Sequence, residues 1–314
     1  MIQQMKKSSW ATSFKVRKNK LGYYEIAPRP TQKHLESYYS QKYYQEGRGS
    51  YEITYDKAEL NWIKKKYQFR LKTVEAMLWD RKKRPKKPRM LDVGCGEGFG
   101  MKAFVQNGWA VHGIDFSEAG MESKNPQMRP FLSVGDITEL LHKQIQSGFK
   151  YDCVLLVNVL EHVLEPVKLM NDIKRIVSAE GILLVTVPND FSPIQKLAHT
   201  QGHISSRYWI APPDHLQYFN VKSLKSIGKC TGWNCKEILG DFPIDWFLFH
   251  PGSNYIKDPT QGKLAHRARI CIESEILKLN SNVFFNLQKS WANAGMGRDI
   301  TAIFRLSGRK TDQH

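Results

Sequence analysis

Apolar positions recur along this chain with two periods, and the change from one to the other outlines the fold. From residue 57 to residue 80, Leu60, Ile63, Tyr67, Leu71, Val74 and Leu78 return every three or four positions, the period of a long helix with one buried stripe. Short apolar runs follow at 90 to 93, 110 to 115, 131 to 136, 151 to 157 and 181 to 187, separated by helical patterns at 99 to 105, 138 to 146 and 164 to 177. Strands alternating with helices predict βαβ units and a parallel sheet covered on both faces. Residues 221 to 230 read as a further helix, 233 to 239 as a sixth strand and 299 to 306 as a last one. The predicted fold class is therefore α/β, with a seven-stranded, mostly parallel sheet and helices on both faces. Two stretches interrupt this rhythm. Residues 189 to 218 are irregular, with Pro193, Pro212, Pro213 and several histidines, and residues 241 to 297 form an insertion with helical stretches near 263 to 279 and 282 to 293, a lid or an interface.

The first strand runs straight into Asp92-Val-Gly94-Cys-Gly96-Glu-Gly98. Three glycines at alternate positions leave the backbone bare for something to lie against it. The spacing matches neither the G-x-G-x-x-G of a dinucleotide site nor a P-loop, so a phosphate is not the obvious guest. The second strand ends in Asp115, 23 positions after Asp92, and the third predicted strand ends in Asp136. A carboxylate closing the strand beside a glycine turn can accept hydrogen bonds from ribose hydroxyls. The pattern describes a nucleoside site.

Asp92-x-Gly94-x-Gly96-x-Gly98, Gly113-Ile-Asp115, Gly135-Asp136-Ile137 and Tyr151-Asp-Cys-Val-Leu-Leu-Val-Asn-Val-Leu-Glu-His162 together resemble the successive motifs of class I S-adenosylmethionine-dependent methyltransferases. The resemblance covers roughly residues 88 to 190 and is nearest to the small-molecule branch that includes ubiquinone-pathway O-methyltransferases. A looser likeness of the Tyr-rich leader is to methyltransferases of surface-polysaccharide pathways. The resemblance implies a Rossmann-like fold and S-adenosylmethionine as cofactor. It also implies residue roles: Asp92 with the backbone at Gly94 and Gly96 on the methionine part, Asp115 on the ribose, Phe116 on one face of the adenine, Asp136 and Ile137 at its edge, and Asn158 beneath the sulfonium. Some relatives hold a divalent metal with Glu-x-x-Glu-His. Here Asn158 stands where the first Glu would be, so no metal is expected.

Charge changes the picture at the amino-terminal end. Residues 1 to 89 carry 23 Lys+Arg against 8 Asp+Glu, nearly all of the chain's net +17. A field of that sign attracts nucleic acid, an anionic membrane surface or an anionic substrate, although the run 81 to 89 also reads as a solvated linker. Residues 1 to 20 read as a loosely ordered basic leader with Trp10 and Phe14 as anchors. From 21 to 55 tyrosines crowd together, and Tyr39 and Tyr43 fall on one helical face, placed to pack or to lend a ring to the pocket. The organisation predicted is a basic, Tyr-rich extension and capping helix (1–88), a cofactor-binding core (89–240), the helical insertion (241–297) and a last strand with its tail (298–314). No apolar run is long enough to span a bilayer, the first residues lack the apolar stretch of a secretory signal, and the cysteines at 95, 153, 230, 235 and 271 suit neither a disulfide frame nor a paired metal motif. A cytoplasmic protein is expected.

Methyl transfer needs alignment, exclusion of water and, for a hydroxyl acceptor, a base. His162 and His215 are the candidate bases, because both fall beside the sheet's carboxyl edge and an imidazole titrates near neutrality. Asp190, His199 and His203 are further pocket candidates. The expected acceptor is the oxygen or nitrogen of a small metabolite or of a glycan or lipid precursor. RNA is less favoured, because Asn158-Val-Leu-Glu161 stands where a base-methylating enzyme carries Asn/Asp-Pro-Pro-Tyr/Phe, and Cys153 lies inside its strand. A non-catalytic cofactor-binding scaffold is the third reading.

Overall fold

The structure, a computed structural model, describes residues 14–35, 54–79 and 84–307. Trp10, Tyr39, Tyr43 and positions 81–83 of the basic run lie outside the described residues.

Seven strands form the central sheet in the order β5 (Leu132–Val134), β4 (Ala110–Asp115), β3 (Arg89–Val93), β6 (Tyr151–Val157), β7 (Val177–Pro188), β10 (Asp299–Leu306), β9 (Trp233–Gly240). The pairings β3–β4, β4–β5, β3–β6 and β6–β7 are parallel, whereas β10 runs antiparallel to both β7 and β9. The chain goes outward from β3 to β5 on one side and then restarts at β6 on the other. That reversal opens a crevice at the carboxyl ends of β3 and β6, where open α/β sheets bind ligands.

Both faces are covered because the inner strands are apolar on both. Leu91, Val93, Val154, Leu156, Leu183 and Val185 face α4 (Ile137–Gln146), α5 (Pro166–Lys174) and α7 (Val221–Cys230). Met90, Cys153, Leu155, Ile182 and Leu184 face α1 (Lys57–Leu78) and α2 (Phe99–Val105). Each fully buried Leu, Ile or Val of these layers contributes roughly 1.5–3 kcal/mol.

Helix α1 departs from its predicted stripe. Leu71, Val74 and Leu78 lie on the sheet, but Leu60 is 41% exposed, and the buried residues that precede Leu71 are Trp62 and Phe69. The reason is a second partner: α8 (Gln261–Leu279) and α9 (Ser281–Asn293) of the insertion pack on this end of α1. Trp62 Nε1 donates to Glu273 Oε2 at 2.8 Å, and Phe69 meets Phe284 edge-on at 4.9 Å.

A second, antiparallel sheet stands apart from the first. Strands β1 (Lys15–Lys18), β2 (Tyr24–Ala27) and β8 (Gln217–Tyr218) pair in that order, so part of the leader expected to be loose is a strand. Its core gathers Ile26, Phe191, Trp209, Leu216, Tyr218 and Leu248, with Phe14 packed beside them as an anchor should be. The stretch 189 to 218 is also less irregular than its prolines suggest. Pro193 opens α6 (Pro193–Thr200) behind a capping box in which Ser192 and Gln195 bond each other's backbone. Other boundaries moved by a few residues: β7 begins at Val177, which ends α5 at Lys174, and β5 spans Leu132–Val134 alone. No described helix is long and apolar enough to cross a membrane.

Candidate active site

The turn after β3 is held in a conformation that suits glycine. Gly94 has φ +71°, and a Cβ there would lie 2.3 Å from Val159 Cγ2. Gly96 has φ +52°, yet a Cβ built on it meets nothing within 4 Å. The protein crowds the first position and leaves open space beside the second, which is the space a ligand lying on the backbone needs. Gly96 N–H donates to Asp115 Oδ2 at 2.8 Å, and Ser117 N–H donates to Oδ1 at 3.0 Å, so the turn is tied to the end of the neighbouring strand. Asp115 is buried, and its two oxygens offer four lone pairs to the backbone N–H groups of Gly96, Ser117 and Phe116, which leaves capacity for a ribose hydroxyl. Phe116, next along, is 43% exposed, with the open ring an adenine can lie on.

Asp92 is 4% exposed beneath this turn, and the Cα of Gly100, in the first turn of α2, packs so close that a Cβ there would be 2.7 Å from Asp92 Oδ2. Burial first, then the Asp115 carboxylate, pushes its pKa up to about 7, against the opposing pull of Arg70. A buried carboxylate of that kind is completed by a cation. Asp136 lies just past β5 and caps α4, accepting Glu139 N–H at 3.0 Å, with Ile137 half-buried beside it. Asn158 follows β6 with φ +54°, rare for a residue other than glycine, and donates its N–H to Thr186 O at 2.9 Å. That bend exposes Asn158 at the mouth of the crevice.

The turn has a neighbour that residue pattern alone did not single out. Tyr55, just before α1, donates to both carboxylate oxygens of Glu97 at 2.9 and 3.1 Å, and Glu97 lies between Gly96 and Gly98. Phe99 meets the Tyr55 ring edge-on at 6.1 Å. The hint in the sequence is the Tyr-rich stretch from 21 to 55, read as able to lend a ring to the pocket; Tyr55 is its last tyrosine and precedes Asp56, which caps α1.

His162 and His215, 53 positions apart in the chain, come together with ring centres 5.0 Å apart. The contact follows from β8: Leu216 and Gln217 N–H both donate to Glu161 O, at 2.9 and 3.0 Å, which draws the preceding segment over the end of β6. His162 Nδ1 lies 2.5 Å from Asp214 O, so that nitrogen carries the proton and Nε2, 3.7 Å from Glu161 Oε1, is the basic one. Glu161, missed in the sequence, is buried, and burial raises its pKa well above the usual carboxylate range, with Asp299 and Asp190 adding to it. One donor atom from each of Glu161, His162 and His215 lies within 4.8 Å of the others. Two imidazoles and a carboxylate are a donor set that could hold a divalent cation, His215 standing in for the carboxylate that Asn158 lacks. Without a cation the same groups are proton carriers.

Asp190 lies two residues past β7 and is also buried, with Arg298 Nη1 3.3 Å from Oδ1. His203 packs its ring on Phe249 at 4.7 Å, and His199 lies in the last turn of α6; neither joins Glu161, His162 and His215 in that cluster.

Comparison with known proteins gives the family. Residues 55–238 match the family model described as a methyltransferase domain. The chain is 25% identical over 156 residues to a probable S-adenosylmethionine-dependent methyltransferase of Mycolicibacterium smegmatis, an alignment that covers 49% of this chain and 54% of that one. It is 30% identical over 171 residues to the ubiquinone biosynthesis O-methyltransferase of Coxiella burnetii, covering 52% and 69%. A crystal structure of a methyltransferase from Archaeoglobus fulgidus aligns with a TM-score of 0.46 at 16% identity, over 86% of this chain and 98% of that one. Against the M. smegmatis protein, the chain thus spans about half of its relative's length. A bare-backbone turn bonded to an acid on the adjoining strand, inside a family match covering more than half of its residues, places the chain among the class I S-adenosylmethionine-dependent methyltransferases.

Proposed function

We propose that this protein moves the methyl group of S-adenosylmethionine to an oxygen or nitrogen of a small metabolite, with glycan and lipid precursors as the favoured acceptors. When bound, the cofactor supplies a methyl carbon on a positively charged sulfur. The rest falls to the chain. Asp92 is placed to meet the ammonium of the methionine part, the open space beside Gly96 to admit its backbone, Asp115 to take the ribose, and Phe116 to cover the adenine. Asp136 and Ile137 are set to border the ring, and Asn158 to close the floor where β6 ends. An acceptor hydroxyl at this edge can pass its proton to His162 Nε2 or to His215, whose rings meet at 5.0 Å. The cap of β1, β2 and β8 serves to keep water out.

The observation that carries this reading is the Gly96–Asp115 bond beside a turn open to a ligand, on the same sheet edge as the histidine pair. The test is calorimetric titration with S-adenosylmethionine and with its demethylated product, followed by transfer of tritiated methyl into fractionated cell extract. Label in small molecules or glycolipid supports it. Label in RNA favours the second reading, for which the basic first 89 residues speak and which would make that segment a backbone-binding arm. Binding without transfer to any fraction favours a cofactor-binding scaffold. The same basic segment suits peripheral contact with an anionic membrane carrying a lipid-linked acceptor. Five cysteines without disulfide partners suit a cytoplasmic site of action.

A further inference from the structure

Buried polar atoms without hydrogen-bond partners are few in folded proteins, and each calls for an explanation. Among the described residues, side-chain atoms of this kind include both carboxylate oxygens of Glu161, Asp190 Oδ2, Gln195 Nε2, Trp209 Nε1 and Gln217 Oε1. They fall within one stretch of the chain, at the carboxyl ends of β6 and β7 and in the cap above them. Contacts link them residue by residue. Gln217 N–H is bonded to Glu161 O at 3.0 Å, and Asp190 N–H is bonded to Phe219 O at 2.7 Å, two residues beyond Gln217. Phe191 adjoins Asp190, and its ring meets Trp209 edge-on at 5.6 Å. Gln195 spends its oxygen on the Ser192 N–H, which leaves the amide nitrogen unused.

The composition of this set is specific. Four acceptor oxygens and two N–H donors outnumber what a catechol with two hydroxyls can engage. Three of the residues are acidic or amide acceptors at the floor, where the buried guanidinium of Arg298 is paired with Asp190 Oδ1 at 3.3 Å; a second guanidinium, that of exposed Arg207, lies 5.9 Å over the Phe191 ring. Trp209, Phe191, Tyr208 and Tyr24 add aromatic rings around it, the Tyr24 and Phe191 rings stacked at 4.0 Å. Several hydroxyl partners together with aromatic walls suit a ring that is polar at its edge and apolar on its C–H faces.

Resting on the methyl-transfer reading above, we infer that the acceptor is a sugar unit, a neutral hydroxyl-rich ring seated between the ends of β6 and β7 and the cap. Glu161, Asp190 and Gln217 accept from its hydroxyls, and Gln195 and Trp209 donate to its oxygens. These atoms are closed from solvent, so the sugar enters when the cap of β1, β2 and β8 lifts from the sheet edge.

The test compares acceptors in an assay of product-nucleoside release: methyl glycosides of hexoses and deoxyhexoses and nucleoside-diphosphate hexoses, against 3,4-dihydroxybenzoate. A hexose probe should turn over faster than dihydroxybenzoate. Trp209→Phe keeps a six-membered aromatic ring and removes the pyrrole ring with its N–H. It should raise KM for that hexose about tenfold with little change in kcat and leave affinity for the product nucleoside unaltered, while Tm falls because the smaller side chain leaves a cavity at a buried position. Asp190→Asn should likewise raise KM. The inference is overturned if dihydroxybenzoate is preferred, if no hexose probe reacts although the product nucleoside binds, or if Trp209→Phe leaves KM alone. Failure of the product nucleoside to bind the wild-type protein would instead overturn the methyl-transfer reading.

Discussion

Protonation of Asp92 should control cofactor affinity in a way that can be worked out from its surroundings. The carboxyl is buried, lies against Gly100 and feels Asp115, and these together hold its pKa near 7. Only the ionised form attracts the ammonium of the ligand. At pH 6 about one Asp92 in eleven is ionised against about ten in eleven at pH 8, so on this ground alone binding at pH 6 is about 1.4 kcal/mol weaker, a factor of about ten in Kd. The ligand's own α-ammonium, with an ordinary pKa of about 7.7–8.0, loses its proton over the upper part of the same range and is about half deprotonated by pH 8, so affinity falls again. Affinity for S-adenosylhomocysteine should therefore peak between about pH 7 and 8, with an acid limb that belongs to the protein and an alkaline limb that belongs to the ligand. Calorimetry in buffers of different ionisation enthalpy should count nearly one proton released on binding at pH 6. In Asp92→Asn the acid limb should vanish while the alkaline limb persists, and affinity at pH 7.5 should fall by about 1.5–3 kcal/mol through loss of a charge-assisted bond. A wild-type Kd that is constant from pH 6 to 7.5, or an acid limb that survives Asp92→Asn, would refute the assignment.

Three further outcomes are expected. Gly94→Val drives a side chain into Val159 at a positive φ and should lower stability by about 1–3 kcal/mol or more in denaturant titration, whereas Gly96→Ala meets open space, costs only the roughly 1–2 kcal/mol of its backbone conformation, and should fold yet lose the nucleoside. Glu273→Ala removes the acceptor for Trp62 Nε1 and Phe242 N–H and strips a partner from buried Arg269. It should cost about 3–5 kcal/mol, read as a lower denaturant midpoint; a loss under about 1 kcal/mol would show that the insertion is held by other contacts. Because Asp92 and Asp190 titrate near 7 in the folded chain but near 3.8 when unfolded, the native state binds more protons between those limits. The contribution of this pair should therefore stabilise the ligand-free protein as pH falls from about 7 towards 5, and Tm of Asp92→Asn/Asp190→Asn should show a smaller rise over the same range.

Most of the central sheet could be read from residue order because its strands are locally specified. Tyr151–Val157 and the apolar half of Val177–Pro188 are buried on both faces, so their runs need no partner to be recognised. The glycine turn and Asp115 were legible for the same reason: strand, bend and acid are close in sequence. The small sheet was not. Lys15-Val-Arg-Lys18 looks like a basic tail, and β8, which completes that sheet, lies some 190 residues away. Pro193 was taken for a loop residue, although a proline at the first helical position behind Ser192 starts a helix. Leu60 was assigned inward because periodicity reports one face, and α1 has two partners. Glu161 falls on the second Glu of the relatives' Glu-x-x-Glu-His pattern, but its burial and its meeting with His215 are not legible there, since nothing in Leu-Glu-His tells which side chain turns inward.

Among the described strands β10 is the last in chain order, yet it lies between β7 and β9 and pairs with both. A nascent chain halted before residue 299 already contains β3 to β6 and the nucleoside crevice between them, while β9 has no neighbour to pair with. Arg298, which partners Asp190, arrives with that same strand. Synthesis therefore delivers the strands of the crevice and the residues from 161 to 217 well before the strand that joins β7 to β9 and brings the partner of Asp190, so that end of the sheet closes only after the rest of it has been made.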